Sequence, residues 1–288
     1  MHIGYWAHGT CDSNVEYLLR QKETLMLFMI SPAKKMIDAG DAFAWRDMPR
    51  FLSRTHELLD ALRSLSYDEA KALWKCSDAL AELNYERVAR MRIDTGSACT
   101  PAAFSYEGIQ YQNMAPQVMT EAQLDYLQDR LRILSGFYGV LRPFDAVVPY
   151  RLEMQAKLAV GGARDLYGFW GSRLFDALAA DAARQAKASE PVIVNLASVE
   201  YAKAVLPHAK AAARAGSPVR VATCLFGTVR EGRLVQRSTE AKAARGTFVR
   251  WCAENAVEHM ADLVRFDVGG YAFDRVLSTD DTFVFARR

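Results

Sequence analysis

Cysteine and histidine are both scarce in this chain, with five of each among 288 residues. The cysteines (Cys11, Cys76, Cys99, Cys224 and Cys252) are odd in number, widely spaced, and form no Cys-x-x-Cys pair. His2, His8, His56, His208 and His259 are not interleaved with them. These absences argue against a disulfide framework and a zinc site, and they point to a reducing, cytoplasmic setting. Long apolar runs are missing as well. The longest, Leu25 to Ile30, is strand-sized, whereas about 18 residues are needed to cross a bilayer, so no membrane partner is expected. Nor is there a Walker loop, a dinucleotide fingerprint, a pair of metal-binding carboxylates or a catalytic triad order. No cofactor, no metal and no defined reaction are therefore indicated, and a non-enzymatic role is the expectation. Charge of one sign is not in excess either: 36 Lys and Arg face 34 Asp and Glu, a net charge of +2. A nucleic-acid partner must then be argued from where the charges lie.

About half the residues are apolar, enough for a sizeable core. Met26 to Ile30 reads as a strand. Helices are predicted over 49–63, over 68–74 behind a Ser66 cap with Glu69 three residues on, and from Ser77 to about Arg90. Thr120 opens another, and 171–187 is alanine-rich and helical. Pro191 to Ser198 reads as a buried strand because it is continuously apolar and rich in β-branched residues. Arg220 to Val229 is strand-like, with Glu231-Gly232 as a hairpin turn, Thr239 to Asn255 is an amphipathic helix, and the chain ends on a strand. Long helices between well-separated strands, some of them hairpin-paired, predict an α+β class: a mixed β-sheet flanked by helices in one compact domain over 26–288. Residues 1–25 form an N-terminal extension without the layout of a signal peptide; a mis-assigned start, a disordered tail and a short docked helix (Asn14 to Lys22) are its three readings.

Residues 131–154, LRILSGFYGVLRPFDAVVPYRLEM, fit neither a helical nor a strand period. Between Arg130 and Arg173 there are seven bases against three acids, interleaved with Phe137, Tyr138, Tyr150, Tyr167, Phe169 and Trp170. Arginine neutralises phosphate and aromatics stack on unpaired bases, so the mix suits DNA; the plainer reading places the aromatics in the core and the arginines in solvent. Ser31-Pro32-Ala33-Lys34 follows a strand end, the usual location of sites in sheets flanked by helices. Its Ser-x-x-Lys spacing is that of serine acylases, but the Lys-Thr-Gly tripeptide is missing and Pro32 opposes a helix, so Ser31 and Lys34 are better read as parts of an anion-binding cleft. Asn195, Ser198, Glu200, Tyr201 and Lys203 follow a similar strand end. Lys242 and Arg245 stand about 60° apart beside the apolar face of their helix. Gly246, costly in a helix, implies close approach by another backbone or by a ligand phosphate.

Together with MLFMISPAK (26–34), KCSDALAELN (75–84), FSYEGIQY (104–111), LYGFWG (166–171), VNLASVEYAKAV (194–205), AKAARG (241–246) and GGYAFD (269–274), the 131–154 segment resembles the YaaA-like peroxide-stress proteins. The resemblance implies a single unusual mixed fold and a DNA-binding stress protein that limits iron-dependent oxidative damage through a basic cleft. Its expected partner is double-stranded or structured DNA, and the expected state is a monomer. It also implies a helix-hairpin-helix, for which Ser135-Gly136-Phe137-Tyr138-Gly139 is the matching place; a tight turn between two strands is the alternative. The expected DNA- or anion-binding residues are Ser31, Lys34, Arg132, Ser135, Gly136, Tyr138, Gly139, Arg142, Arg151, Lys203, Lys242 and Arg245, with Asp78 and Glu153 as acids of the cleft or partners that orient its arginines. The rival expectation is an enzyme acting on a phosphorylated or nucleic-acid substrate in that cleft.

Overall fold

The computed structural model describes residues 25–39, 43–94, 99–186 and 190–287. Strands that are apolar at every position require cover on both faces, and those strands form the middle of the main sheet. Its members are β1 (Met26–Ile30), β2 (Leu131–Ser135), β3 (Gly139–Leu141), β4 (Val192–Asn195), β5 (Arg220–Arg230), β6 (Arg233–Val235), β7 (Ala272–Phe273) and β8 (Thr282–Arg287). The order is β7-β8-β5-β4-β1-β2-β3, with β6 paired to β5. β8, β5, β4, β1 and β2 run parallel to their neighbours in that central series. β3, β6 and β7 are antiparallel additions. Every residue of β1, β2 and β4 is buried, the polar Arg132, Ser135 and Asn195 included.

Helices flank the sheet: α1 (Leu52–Arg63), α2 (Tyr67–Trp74), α3 (Asp78–Arg90), α4 (Ala102–Ser105), α5 (Ile109–Met114), α6 (Glu121–Arg130), α7 (Leu166–Trp170), α8 (Arg173–Ala186), α9 (Val199–Ala202), α10 (Leu206–Arg214) and α11 (Ser238–Glu254). The expected α+β architecture is the observed one. Local chemistry sets several boundaries. Ser66 accepts from the Glu69 amide while the Glu69 carboxylate accepts from Ser66, and Thr120 and Gln123 repeat this reciprocal cap at α6. Glu231 and Gly232, both at positive φ, make the turn from β5 to β6. Among the described residues, no helix is long and apolar enough to cross a membrane. Most of the N-terminal extension, including Asn14 to Lys22, lies outside the described residues.

The helix-hairpin-helix expectation is corrected. α6 passes directly into β2, residues 136–138 turn, and β3 returns antiparallel with Ser135 opposite Gly139. The turn amides face inward: Phe137 and Tyr138 donate to Ser135 Oγ at 3.1 and 2.8 Å, so they are not presented to a phosphate. The glycines answer to packing. A Cβ on Gly136 would lie 2.5 Å from the Leu152 carbonyl oxygen, and one on Gly139, at φ +78°, would lie 2.9 Å from the Phe51 and Trp170 rings. Phe137, Tyr138, Tyr150, Phe169 and Trp170 are all core residues, which corrects their reading as base-stacking surfaces.

Candidate functional site

In an open sheet, ligands bind beyond the carboxyl ends of parallel strands, where neighbouring strands send their connections to opposite sides. β1 leads towards β2 on one side, β4 leads to β5 on the other, and β1 and β4 are neighbours. The residues that follow these two strands meet. The Ser198 amide donates to Ser31 Oγ at 2.8 Å, and the two hydroxyls are 3.2 Å apart. The Ser31 carbonyl accepts from Tyr111 Oη at 3.0 Å and Gln110 Nε2 at 3.3 Å, which ties α5 to the same point.

A cavity of about 370 Å³ opens around this junction. Of the expected residues it gathers Ser31, Lys34, Arg151, Glu153, Lys242 and Arg245. Lys34 and Arg245, 211 positions apart, share one site. α11 brings its two bases in through Gly246, where a Cβ would stand 2.0 Å from the Gln110 carbonyl oxygen. The alternative left open for Gly246 is thus settled: another backbone makes the close approach. Only glycine lets α11 lie this close to α5, and that closeness sets Lys242 and Arg245 beside Tyr111 and Ser31.

Charge is unevenly distributed round the walls. Lys35 pairs with Glu107 at 2.7 Å, and Glu153 accepts from both Lys34 at 3.2 Å and Arg151 at 3.1 Å. Glu200 stands beside Glu153, its Oε1 accepting the Gln155 amide at 3.2 Å. Burial pushes the Glu200 carboxyl above its ordinary range and the Glu153 charge adds to the effect, while the Gln155 amide and Lys34 pull it back. On α11, Lys242 and Arg245 have no carboxylate partner among the described residues. Arg245 Nε is buried without an acceptor, and burial lowers the pKa of the guanidinium. Arg151 Nε is likewise buried and unsatisfied. A half-buried cation lacking an anion is costly, and an anionic ligand is the natural completion.

The other expected residues lie elsewhere. Arg132 is buried against Asp181 at 2.7 Å and caps the carbonyls of Gln128, Asp129 and Leu131, so it holds α6, β2 and α8 together. Arg142 pairs with Asp47 at 2.9 Å and Asp145 at 3.2 Å, away from the cavity. Asp78 is exposed and paired with Lys71. Lys203 is exposed, 4.9 Å from the centre of the Tyr167 ring, and does not line the cavity. Ser135, Gly136, Tyr138 and Gly139 lie behind it: Ser135 Oγ meets Tyr150 Oη at 2.6 Å, and Tyr150, which also meets Tyr106 Oη at 2.8 Å, forms part of the cavity wall. The turn of the signature segment therefore supports the site from beneath, while its Tyr150 to Glu153 line the cavity. Sequence reasoning left Lys35, Glu107, Gln110 and Tyr111 without a role, although three of the four fall in the block 104–111. Among the described residues, no group of three or more His, Cys, Asp or Glu is placed to hold a metal ion.

Known proteins align over nearly the whole of this molecule. The chain is 48% identical over 260 residues to a UPF0246 protein of Lactiplantibacillus plantarum, covering 90% of this chain and 98% of that one. It is 46% identical over 262 residues to a UPF0246 protein of Pediococcus pentosaceus, covering 91% and 98%. A third, from Lachnoclostridium phytofermentans, is 43% identical over 262 residues, covering 91% and 96%. The profile described as peroxide stress protein YaaA matches residues 26–277, which include both strand ends of the cleft and both bases of α11. On the strength of that span, this chain belongs to the peroxide stress protein YaaA family.

Proposed function

We propose that the protein takes part in peroxide defence by binding DNA, double-stranded or structured, through phosphate groups that reach this cleft, and that it limits iron-dependent damage through that occupancy. The observation that carries the reading is Arg245: a half-buried guanidinium with no acceptor for its Nε, facing a cavity that Lys34, Lys242 and Arg151 also line. A phosphate oxygen supplies the missing acceptor, and charge-assisted contacts of this kind are the strong ones. Gel shifts with duplex, bubble and four-way-junction DNA over a salt series test it. Binding with little sequence preference, weakening steeply as salt rises, is expected because phosphate contacts release counterions. Absence of binding to all three at low salt would sink the DNA reading.

The size of the cavity favours a second reading, in which an enzyme acts there on a phosphorylated or nucleic-acid substrate. A volume of about 370 Å³ lies at the small end for ligand pockets and admits one small molecule or one nucleotide, not a duplex. Glu200, with its raised pKa, is the group in this site best suited to exchange a proton. Chemical change in the bound DNA or nucleotide on incubation, lost in Glu200→Gln, would favour the enzyme over a simple binder.

A further inference from the structure

The cavity wall carries unpaired bases and a pair of acids, and the two call for different ligand chemistry. α11 presents Lys242 and Arg245, which have no carboxylate partner among the described residues. The same wall presents Glu153 and Glu200, joined through the short segment whose Gln155 amide donates to Glu200 at 3.2 Å. Lys34 and Arg151 compensate Glu153 without covering the Glu200 carboxylate. An anion alone satisfies the two bases and leaves the acids without a donor. A ligand that is anionic at one end and donates hydrogen bonds at the other satisfies both.

Given the reading that nucleic-acid phosphate enters the cleft, we infer that the cavity holds a single nucleotide unit, its phosphate on Arg245 and Lys242 and an amine-bearing edge of its base on Glu200 and Glu153. The volume of about 370 Å³ suits one unit. Carboxylates accept from exocyclic amines such as the N4 group of cytosine, and a carbonyl at the same ring position turns its lone pairs against them. The site thereby distinguishes bases by the group they offer, and it engages DNA at an end or an unpaired position, where one nucleotide is free to leave the stack.

The experiment is calorimetric titration of the full chain with inorganic phosphate, CMP, UMP, AMP, IMP and O-phosphoethanolamine. CMP and AMP are expected to bind about tenfold or more tightly than UMP and IMP, the ratio that one good carboxylate–amine contact supplies. Glu200→Gln keeps the acceptor for the Gln155 amide, so it is expected to fold, to retain phosphate binding, and to lose the preference for CMP over UMP. Lys242→Ala, at an exposed position, is expected to weaken every phosphate-bearing probe alike. Equal binding of the amine and carbonyl bases would overturn the inference while leaving the phosphate reading intact. O-phosphoethanolamine binding as tightly as CMP would overturn the assignment to a base. Failure of phosphate and of every nucleotide to bind would remove the phosphate reading itself, and the inference with it.

Discussion

Two arginines show how differently one residue type is used here. Arg132 has its Nε on Asp181 and its Nη1 on three backbone carbonyls in the interior, whereas Arg245 is only half-buried and lacks an acceptor. Arg132→Ala leaves Asp181 its pairs with Arg50 and Arg184 but takes the donor from three carbonyls, so it is expected to cost about 1–3 kcal/mol. For a protein of this size that lowers the melting temperature by roughly 2 °C or more in a thermal scan. Arg245→Ala removes an uncompensated charge instead. It is expected to leave the melting temperature unchanged or slightly raised while phosphate and DNA binding fall at least tenfold. Tyr150 offers a third case: its hydroxyl joins Ser135 and Tyr106 behind the cavity wall. Tyr150→Phe leaves those buried hydroxyls short of a partner, and denaturant melts should register a loss of about 1–3 kcal/mol. Reading the chain alone expected Lys34, Arg151, Lys242 and Arg245 in one cleft, with Glu153 as its acid or as a partner of its arginines, and all five line one cavity. It placed Arg132 and Arg142 there as well, because a sequence displays a charge without displaying its partner. Asp181 lies 49 positions from Arg132, and Asp47 lies 95 from Arg142.

At the scale of elements, what is local was legible. The Ser66 and Thr120 caps follow from four consecutive residues each, and the β5–β6 turn follows from Glu231-Gly232. The hairpin at 135–139 was not, because two glycines at that spacing serve equally a turn between helices and a turn between strands. What decides is burial on both faces of β2 and the company of Leu152 and Trp170, all set by distant segments. The packing of α11 on α5 is similarly non-local, yet Gly246 marked it. Gly246→Ala drives a methyl group into the Gln110 carbonyl, and overpacking of this kind costs about 1–3 kcal/mol. Circular dichroism should then report retained helix with a lower melting point, and nucleotide binding should fall because Arg245 and Ser31 are pushed apart. Unaltered binding in that variant would mean that the spacing of the two helices does not set the site.

For the whole molecule, the class of fold was readable from the alternation of helices and strands, but the strand order was not. Nothing local says that Met26 should lie beside Val192, or that Thr282 should lie beside Thr223. The order is what places the strand ends carrying Ser31 and Ser198 side by side. The first central strand begins at Met26, and the aligned relatives match over residues that account for nearly all of their own length. A chain shortened to begin at Met26 is expected to melt within about 2 °C of the full-length protein; a larger fall in a thermal scan would show that residues 1–25 contribute to the folded core.

The gathering of one cavity from β1, the segment after β2 and β3, the end of β4 and the helix α11 has a consequence for how the protein is made. A chain emerging from the ribosome carries Ser31 and Lys34 early, yet it has no site until Arg245 has also emerged and α11 has settled against α5. Partly synthesised or truncated chains thus cannot take the ligand, and occupancy certifies a finished fold. By mass action the same dependence runs backwards: a ligand that binds only the assembled cavity protects every segment that builds it. Saturating nucleotide should therefore slow amide hydrogen exchange in β1 and α11 together, although more than 200 residues separate them in the sequence.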